Sequence, residues 1–447
     1  LSHNNVMAVC EDAEGTICVA TWGGGINRFR DGKFTRPSIP PGLREQVIDQ
    51  TLGLCPLPDG SLWVGFDYER GFGRLDPGHG FATVFGPAQG YRFNPIRVIF
   101  RDRLDVLWLG TRDGLHRWKN GEFHRFGTAD GLPHASIRAI HEDRDGTLWI
   151  GTQQGLARKR NETFEPAGAA TSLGQVPVIS FCEDAEGALW IGTTGAGLHR
   201  YRNGKFDAFT RHQGLFSDDV HGILADDFGS LWIGCREGIF RVHLKNLNDV
   251  AEGRTSVITN AIYGLQEGLV STECNVIAQP SAWKSRDGRL WFATAKGLAT
   301  VDPGLQQGIN ELPPTVMIEE VWADKNLVRS PGRLRPESGT LIIPPGRGEL
   351  EVHASALSFS APEKNRFKYK LEGHDRDWIE SGTRKVAYYS NLSPGEYRFH
   401  VIACNNDGVW NEAGASISLR LLPHFWQTNW FLWSVGFIAI GFVGGSA

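Results

Sequence analysis

The sequence predicts an all-β protein: a seven-bladed β-propeller, then an immunoglobulin-like β-sandwich, then the start of a transmembrane helix. Three observations predict it. A unit centred on an aromatic strand recurs seven times over residues 1–303. Short alternating strands without that unit fill residues 313–422. An apolar run without a charged side chain occupies residues 430–447.

The repeat sets the first domain. Its key positions are Cys18, Trp63, Trp108, Trp149, Trp190, Trp232 and Trp291, spaced 41 to 45 residues apart except for a last step of 59. Each unit parses into four short strands, and four-stranded units at this period are propeller blades. A glycine stands three residues before the aromatic in six units (Gly15, Gly60, Gly146, Gly187, Gly229 and Gly288), with Asp105 in its place in the third. The pairs Asp31-Gly32, Asn120-Gly121 and Asn203-Gly204 favour two-residue hairpins, because both central residues of such a turn need positive φ. A mid-strand Trp buries roughly 150–250 Å², so these rings belong to the core between blades. The seventh unit should lack its outer strand, since Asp302-Pro303 follows its third strand directly. A strand from before residue 1 would close the ring, and Leu1-Ser2-His3 reads as the middle of a repeat.

The remaining elements follow. Seven short strands are expected at 315–321, 341–343, 349–354, 367–371, 386–389, 397–404 and 416–421, the pattern of a sandwich. Residues 425–447 are expected to begin a membrane span, with Trp426, Trp430 and Trp433 as its interfacial belt.

Charge and composition exclude several classes. The net charge is −4, from 46 basic and 50 acidic side chains, and no basic cluster tracks a phosphate backbone, so direct nucleic-acid binding is excluded. Seven cysteines without Cys-x-x-Cys spacing read as small buried hydrophobes. The histidines show no ligand spacing, so neither metal nor cofactor is implied. The recurring pairs Glu11-Asp12, Glu142-Asp143 and Glu183-Asp184 suit a structural turn role better than acid–base catalysis. The loop from Gly192 to Gly197 follows a strand but opens no helix, unlike a phosphate-binding loop.

The chain resembles a known family. Its repeats resemble the two-component regulator propeller repeat, as in Glu142-Asp143-Arg144-Asp145-Gly146-Thr147-Leu148-Trp149-Ile150-Gly151-Thr152. The sandwich resembles the three-tyrosine domain through Phe367-Lys368-Tyr369-Lys370-Leu371-Glu372-Gly373, Asp377-Trp378, Tyr388-Tyr389-Ser390-Asn391-Leu392 and Pro394-Gly395-Glu396-Tyr397. The resemblance implies the sensor region of a bacterial transmembrane histidine kinase or hybrid two-component system. It implies residues 1–422 in the periplasm, an anchor in the inner membrane, a small-molecule or oligosaccharide ligand, and a homodimer. No phosphoacceptor or ATP-binding motif stands in this chain, so kinase activity is implied only for a complete receptor.

In a propeller, the turns between second and third strands share one face with the connections from outer to inner strands. That face should carry the ligand. Its turns offer Trp22, Asp67, Tyr68, Arg70, Arg112, Gln153, Arg236 and Lys296, and its connections offer His3, Asn4, Arg92, Asn94, His134, Asp218 and Asp219. The ligand set drawn from them is Trp22, Tyr68, Arg70, Arg112, His134, Gln153, Asp218, Arg236 and Lys296: rings to stack on sugars, polar groups to bond hydroxyls. The competing readings are a polysaccharide-degrading enzyme on a propeller fold and a protein-interaction scaffold.

Overall fold

The computed structural model describes residues 1–37, 50–67, 71–76, 80–86, 91, 94–168, 171–306, 312–329, 340–358, 362–406, 408–428 and 430–431. The chain divides into two compact units, Leu1–Gln307 and Gly308–Ala447.

The first unit is built from seven antiparallel sheets in chain order, six of four strands and a last one of three among the described residues. The inner strands are Val6–Glu11, Thr51–Pro56, Val98–Arg101, Ile137–Glu142, Val178–Glu183, Gly222–Ala225 and Ala282–Lys284. Each touches the next, and the last touches the first, so they make a closed, propeller-like cycle. The second strands carry the Leu-Trp-Ile-Gly pattern, and nearly all of their residues are buried.

The repeat owes its conservation of form to one carboxylate. Asp102, Asp143, Asp184 and Asp226 each accept the indole Nε1–H of the Trp six residues on, at 2.7–2.8 Å. The other oxygen of the same carboxylate accepts backbone N–H groups two and four residues on. One side chain thus closes the turn and orients the Trp, which is at most 2% exposed in these four sheets. In the first sheet Cys18 replaces the Trp, and Asp12 faces Arg28 at 3.7 Å. In the seventh, Ser285 Oγ accepts from Trp291 Nε1 at 2.9 Å.

The same turn needs a left-handed residue. Gly15, Gly60, Gly146, Gly187, Gly229 and Gly288 have φ between 78° and 85°, and Asp105 takes φ 63° in the third sheet. A short polar side chain tolerates that conformation where a branched one would not.

The sixth unit departs from the others. An α-helix, Leu244–Ala251, stands between its third strand, Ile239–His243, and its outer strand, Ala261–Tyr263. This insertion accounts for part of the long last step between repeats.

The second unit packs two sheets around one core. One orders Asn326–Arg329, Thr315–Ala323, Leu350–Leu357 and Val386–Tyr389; the other orders Leu341–Ile343, Trp410–Leu421, Gly395–Cys404, Arg366–Glu372 and Ile379–Gly382. Alternation decides which face is buried: Leu350, Val352, Ala354 and Ala356 point inward along one strand. Val321, Leu371, Tyr369, Tyr389, Phe399 and Leu419 meet them. Tyr389 donates to Asp375 Oδ2 at 2.7 Å, and Tyr397 donates to the Ser393 carbonyl at 2.8 Å.

Among the described residues, nine strands stand where seven were expected. The two additions, Asn326–Arg329 and Ile379–Gly382, are short and carry no alternating apolar pattern. The first follows a turn at Asp324-Lys325 with φ of 48° and 68°, a hairpin without the glycine that signals one.

The expected membrane segment, 425–447, lies outside the described residues apart from 425–428 and 430–431, of which Phe425–Gln427 form a 3-10 turn. Among the described residues no helix is long and apolar enough to cross a membrane.

Candidate functional site

The ring has two faces of different chemistry. On the lower face lie the turns from inner to second strands. There Glu142, Glu183 and Glu11 accept the backbone N–H of Arg103, Arg144 and Arg286 from the neighbouring sheet, at 2.8–2.9 Å. The guanidinium groups continue to carbonyls of that neighbour's turn: Asp143 and Arg144 from Arg103, Asp184 from Arg144, Ala13 from Arg286. The seventh sheet clasps the first as the third clasps the fourth. The Glu-Asp pairs therefore tie one turn to the next and to the Trp above it.

The upper face carries the residues expected to bind ligand, and the structure sorts them. Tyr68, Arg70 and Arg92 lie outside the described residues. Asp218 and His134 are occupied locally: Asp218 Oδ1 accepts Arg211 N–H at 2.9 Å, and His134 Nδ1 accepts Ser136 N–H at 2.9 Å. Asn94 bonds Asp113 and its own loop. Trp22 is half-buried and bridges backbone to Gln50. Arg112, Gln153, Arg236 and Lys296 are exposed. Arg236 stands with Asp219 and Glu273 about His221, which burial holds below its ordinary pKa.

The centre of this face is closed by a segment that the sequence pattern does not reveal. Residues 274–281 cross the axis of the ring. Pro280 O accepts Val9 N–H at 2.9 Å from the first sheet, and Gln279 O accepts Leu54 N–H at 3.2 Å from the second. Gln279 N–H donates to Arg97 O at 3.0 Å beside the third sheet. The Gln279 side-chain amide pairs with both the N–H and the C=O of Ile140 in the fourth, each at 2.9 Å. His221 Nδ1–H donates to Cys274 O at 2.8 Å beside the sixth. Asn275 Nδ2 reaches Val6 O at 2.8 Å. The inner edge of each inner strand has no sheet partner, and buried backbone groups need one. This plug supplies partners to the inner strands of the first, second and fourth sheets and to Arg97 and His221 beside the third and sixth.

One position at or just before the inner strand recurs at one level, and in the seventh sheet it falls within the plug itself. It lies four residues before the residue paired with the first Leu or Ile of the second strand. Around the ring it reads Met7, Leu52, Arg97, Arg138, Ile179, His221 and Pro280. Arg138 falls at a bulge between Ile137 and Ala139, and bulges re-aim a side chain. Adjacent sheets thus place Arg97 and Arg138 together, and Arg112 joins them from the turn above. Burial, then Arg112 and Arg138, press Arg97 down to about 10, against Asp67. Burial and Arg112 also lower Arg138. Arg138 donates to Val276 O at 3.3 Å, and Arg97 Nε is buried without a partner. Neither Arg97 nor Arg138 was among the expected ligand residues; aligning the inner strands by register would have found them.

Residues 131–154 and 172–195 match the family described as two component regulator propeller, and residues 358–422 match the Y_Y_Y domain. The chain is 24% identical over 246 residues to histidine kinase P4 of Formosa agariphila, across 53% of this chain and 17% of that protein. Its fold is similar to the extracellular domain of the putative hybrid two component system BT3049 from B. thetaiotaomicron, with a TM-score of 0.72, 21% identity, 95% of this chain covered and 56% of that one. A streptogramin B lyase structure is similar at a TM-score of 0.50 and 16% identity, over 67% of this chain and 94% of that one. The chain spans less than a fifth of the curated relative and little more than half of the BT3049 chain. It carries the two component regulator propeller repeat and, after it, the Y_Y_Y domain, as the resemblance of its motifs implied.

Proposed function

We propose that this chain is the extracytoplasmic ligand-sensing region of a transmembrane two-component receptor of the histidine kinase type. The carrying observation is the order of parts: regulator propeller repeats, then a Y_Y_Y domain, in a fold like that of a hybrid two-component extracellular domain over 95% of the chain. In this reading the seven sheets are the blades of one propeller over 1–303, and 313–422 is an immunoglobulin-like domain. Residues 425–447 start a helix through the inner membrane, with 1–422 on the periplasmic side. Ligand binds the upper face, and the receptor signals as a homodimer through a rearrangement of propeller and sandwich. A ligand drives such a change only through different affinity for two states.

The test is a thermal-shift screen of the whole chain, in detergent, against oligosaccharides and other periplasmic solutes. A solute that raises Tm in proportion to its concentration supports the reading, since binding to the folded state alone stabilises by mass action. A broad screen without any such solute overturns it.

A further inference from the structure

We propose that Arg97, Arg112 and Arg138, at the plugged mouth of the ring, form a binding site for an anionic group of the ligand, a carboxylate or a sulfate ester. The inference rests on the sensing reading and narrows the chemistry of its ligand.

Three observations carry it. First, the cations are gathered against their own repulsion. Around the ring, the inner-strand position is apolar in Met7, Leu52, Ile179 and Pro280, yet the adjacent third and fourth sheets both place Arg there. A repeat that folds with Leu at this level does not need Arg for folding. Second, the donors are unspent. Arg97 Nε is buried without a partner, and Arg138 bonds only the Val276 carbonyl at 3.3 Å among the described residues. Arg112 is exposed beside them. Elsewhere in the ring, Arg74, Arg117, Arg144, Arg158, Arg200 and Arg211 each meet a carboxylate. Asp67 is the one acidic group found to act on Arg97 among the described residues, which leaves the cluster in positive excess. Third, the plug gives the site a floor. The Val276 carbonyl accepts from Arg138 at 3.3 Å, so the plug lies against the guanidinium groups on one side. A planar guanidinium fork matches a carboxylate or sulfate with two parallel hydrogen bonds.

The test uses the whole chain and isothermal titration with three probes: an oligogalacturonate, a sulfated disaccharide and a neutral oligosaccharide of the same length. We expect one of the two acidic probes to bind, and which one separates carboxylate from sulfate. Arg97→Leu and Arg138→Leu should each weaken it about tenfold, without lowering Tm, because Leu already occupies this position at Leu52. Raising NaCl from about 0.1 M to about 1 M shortens the screening length from about 10 Å to about 3 Å and should weaken binding as well. Binding of the acidic probe that ignores both substitutions overturns the site. Binding of the neutral probe alone overturns it while leaving the sensing reading intact, and failure of every probe in this set and in the wider screen overturns both.

Discussion

The lower and upper faces of the ring are made by the same repeat and solve opposite problems. On the lower face, each Glu, Asp, Trp and Arg of a good copy has the same partners as in the next copy. On the upper face, the copies diverge: Met7, Arg97, Arg138 and His221 stand at one level, and Arg97 Nε is buried without a partner among the described residues. The difference teaches where to look in a repeat protein. Positions satisfied identically in each copy hold the ring together. Positions that break the repeat and leave polar groups unsatisfied are free for a ligand.

Substitutions can break this contrast, and the largest effect belongs to the lower face. Trp190→Ala should cost about 3–5 kcal/mol, from the lost core volume and from leaving Asp184 without its indole partner. Urea denaturation measures it, and a loss under about 1 kcal/mol would deny the Trp its place between sheets.

Acid should act next. Burial pushes His199 down to about 4, and its Nε2 meets Ser172 Oγ at 2.8 Å. Its folded-state pKa lies below the unfolded value of about 6.5, so the unfolded chain takes the proton first. Stability should be flat above that pH and should fall between about 6.5 and about 4, by up to about 3 kcal/mol. His199→Asn should remove only its share of that fall, since burial lowers His116, His141 and His221 too, and an unchanged profile would sink the assignment.

A smaller loss is expected at the plug. Gln279→Ala strips partners from both the N–H and the C=O of Ile140, about 2–3 kcal/mol together. Amide exchange at Ile140 should quicken with it; an exchange rate equal to wild type would show that water replaces the side chain.

The smallest effects sharpen the comparison by sign. Arg144→Ala removes a paired but half-exposed guanidinium and should cost about 0.5–1 kcal/mol. Arg97→Leu removes a half-buried guanidinium whose Nε has no partner among the described residues and should be neutral or stabilise by up to about 1 kcal/mol. Equal losses for the two would mean that the faces do not differ in the way described.

Much of the fold was legible because it is local. The Asp carboxylate, its turn and its Trp lie within six residues, so each copy displays the whole device. Even Asp105 was readable as the stand-in for a left-handed glycine. What stayed hidden is of two kinds. Asp324-Lys325 makes a hairpin without glycine, so its strand, Asn326–Arg329, gave no signal. The plug pairs Gln279 with a residue 139 positions away, and no local pattern encodes that. The site was half visible. Arg112 stood out as a turn residue, whereas Arg97 and Arg138 sit at inner strands and look like strand residues until the copies are aligned. Asp218 and His134 had suitable chemistry, but neighbours within seven residues already use it.

The plug also has a consequence for how this domain comes into being. Each sheet joins strands near in sequence and can form early, because closing a short loop costs little entropy. Apart from the His221 contact, the plug unites groups 138 to 271 residues apart, and contacts of that separation are slow to form. It can dock only when the inner strands of the first four sheets already stand in place. Residues 274–281 thus act as a late checkpoint. Until they seat, the chain is a string of sheets with unpaired inner edges, exposed to wrong pairing; once they do, the sheets rise and fall as one cooperative body.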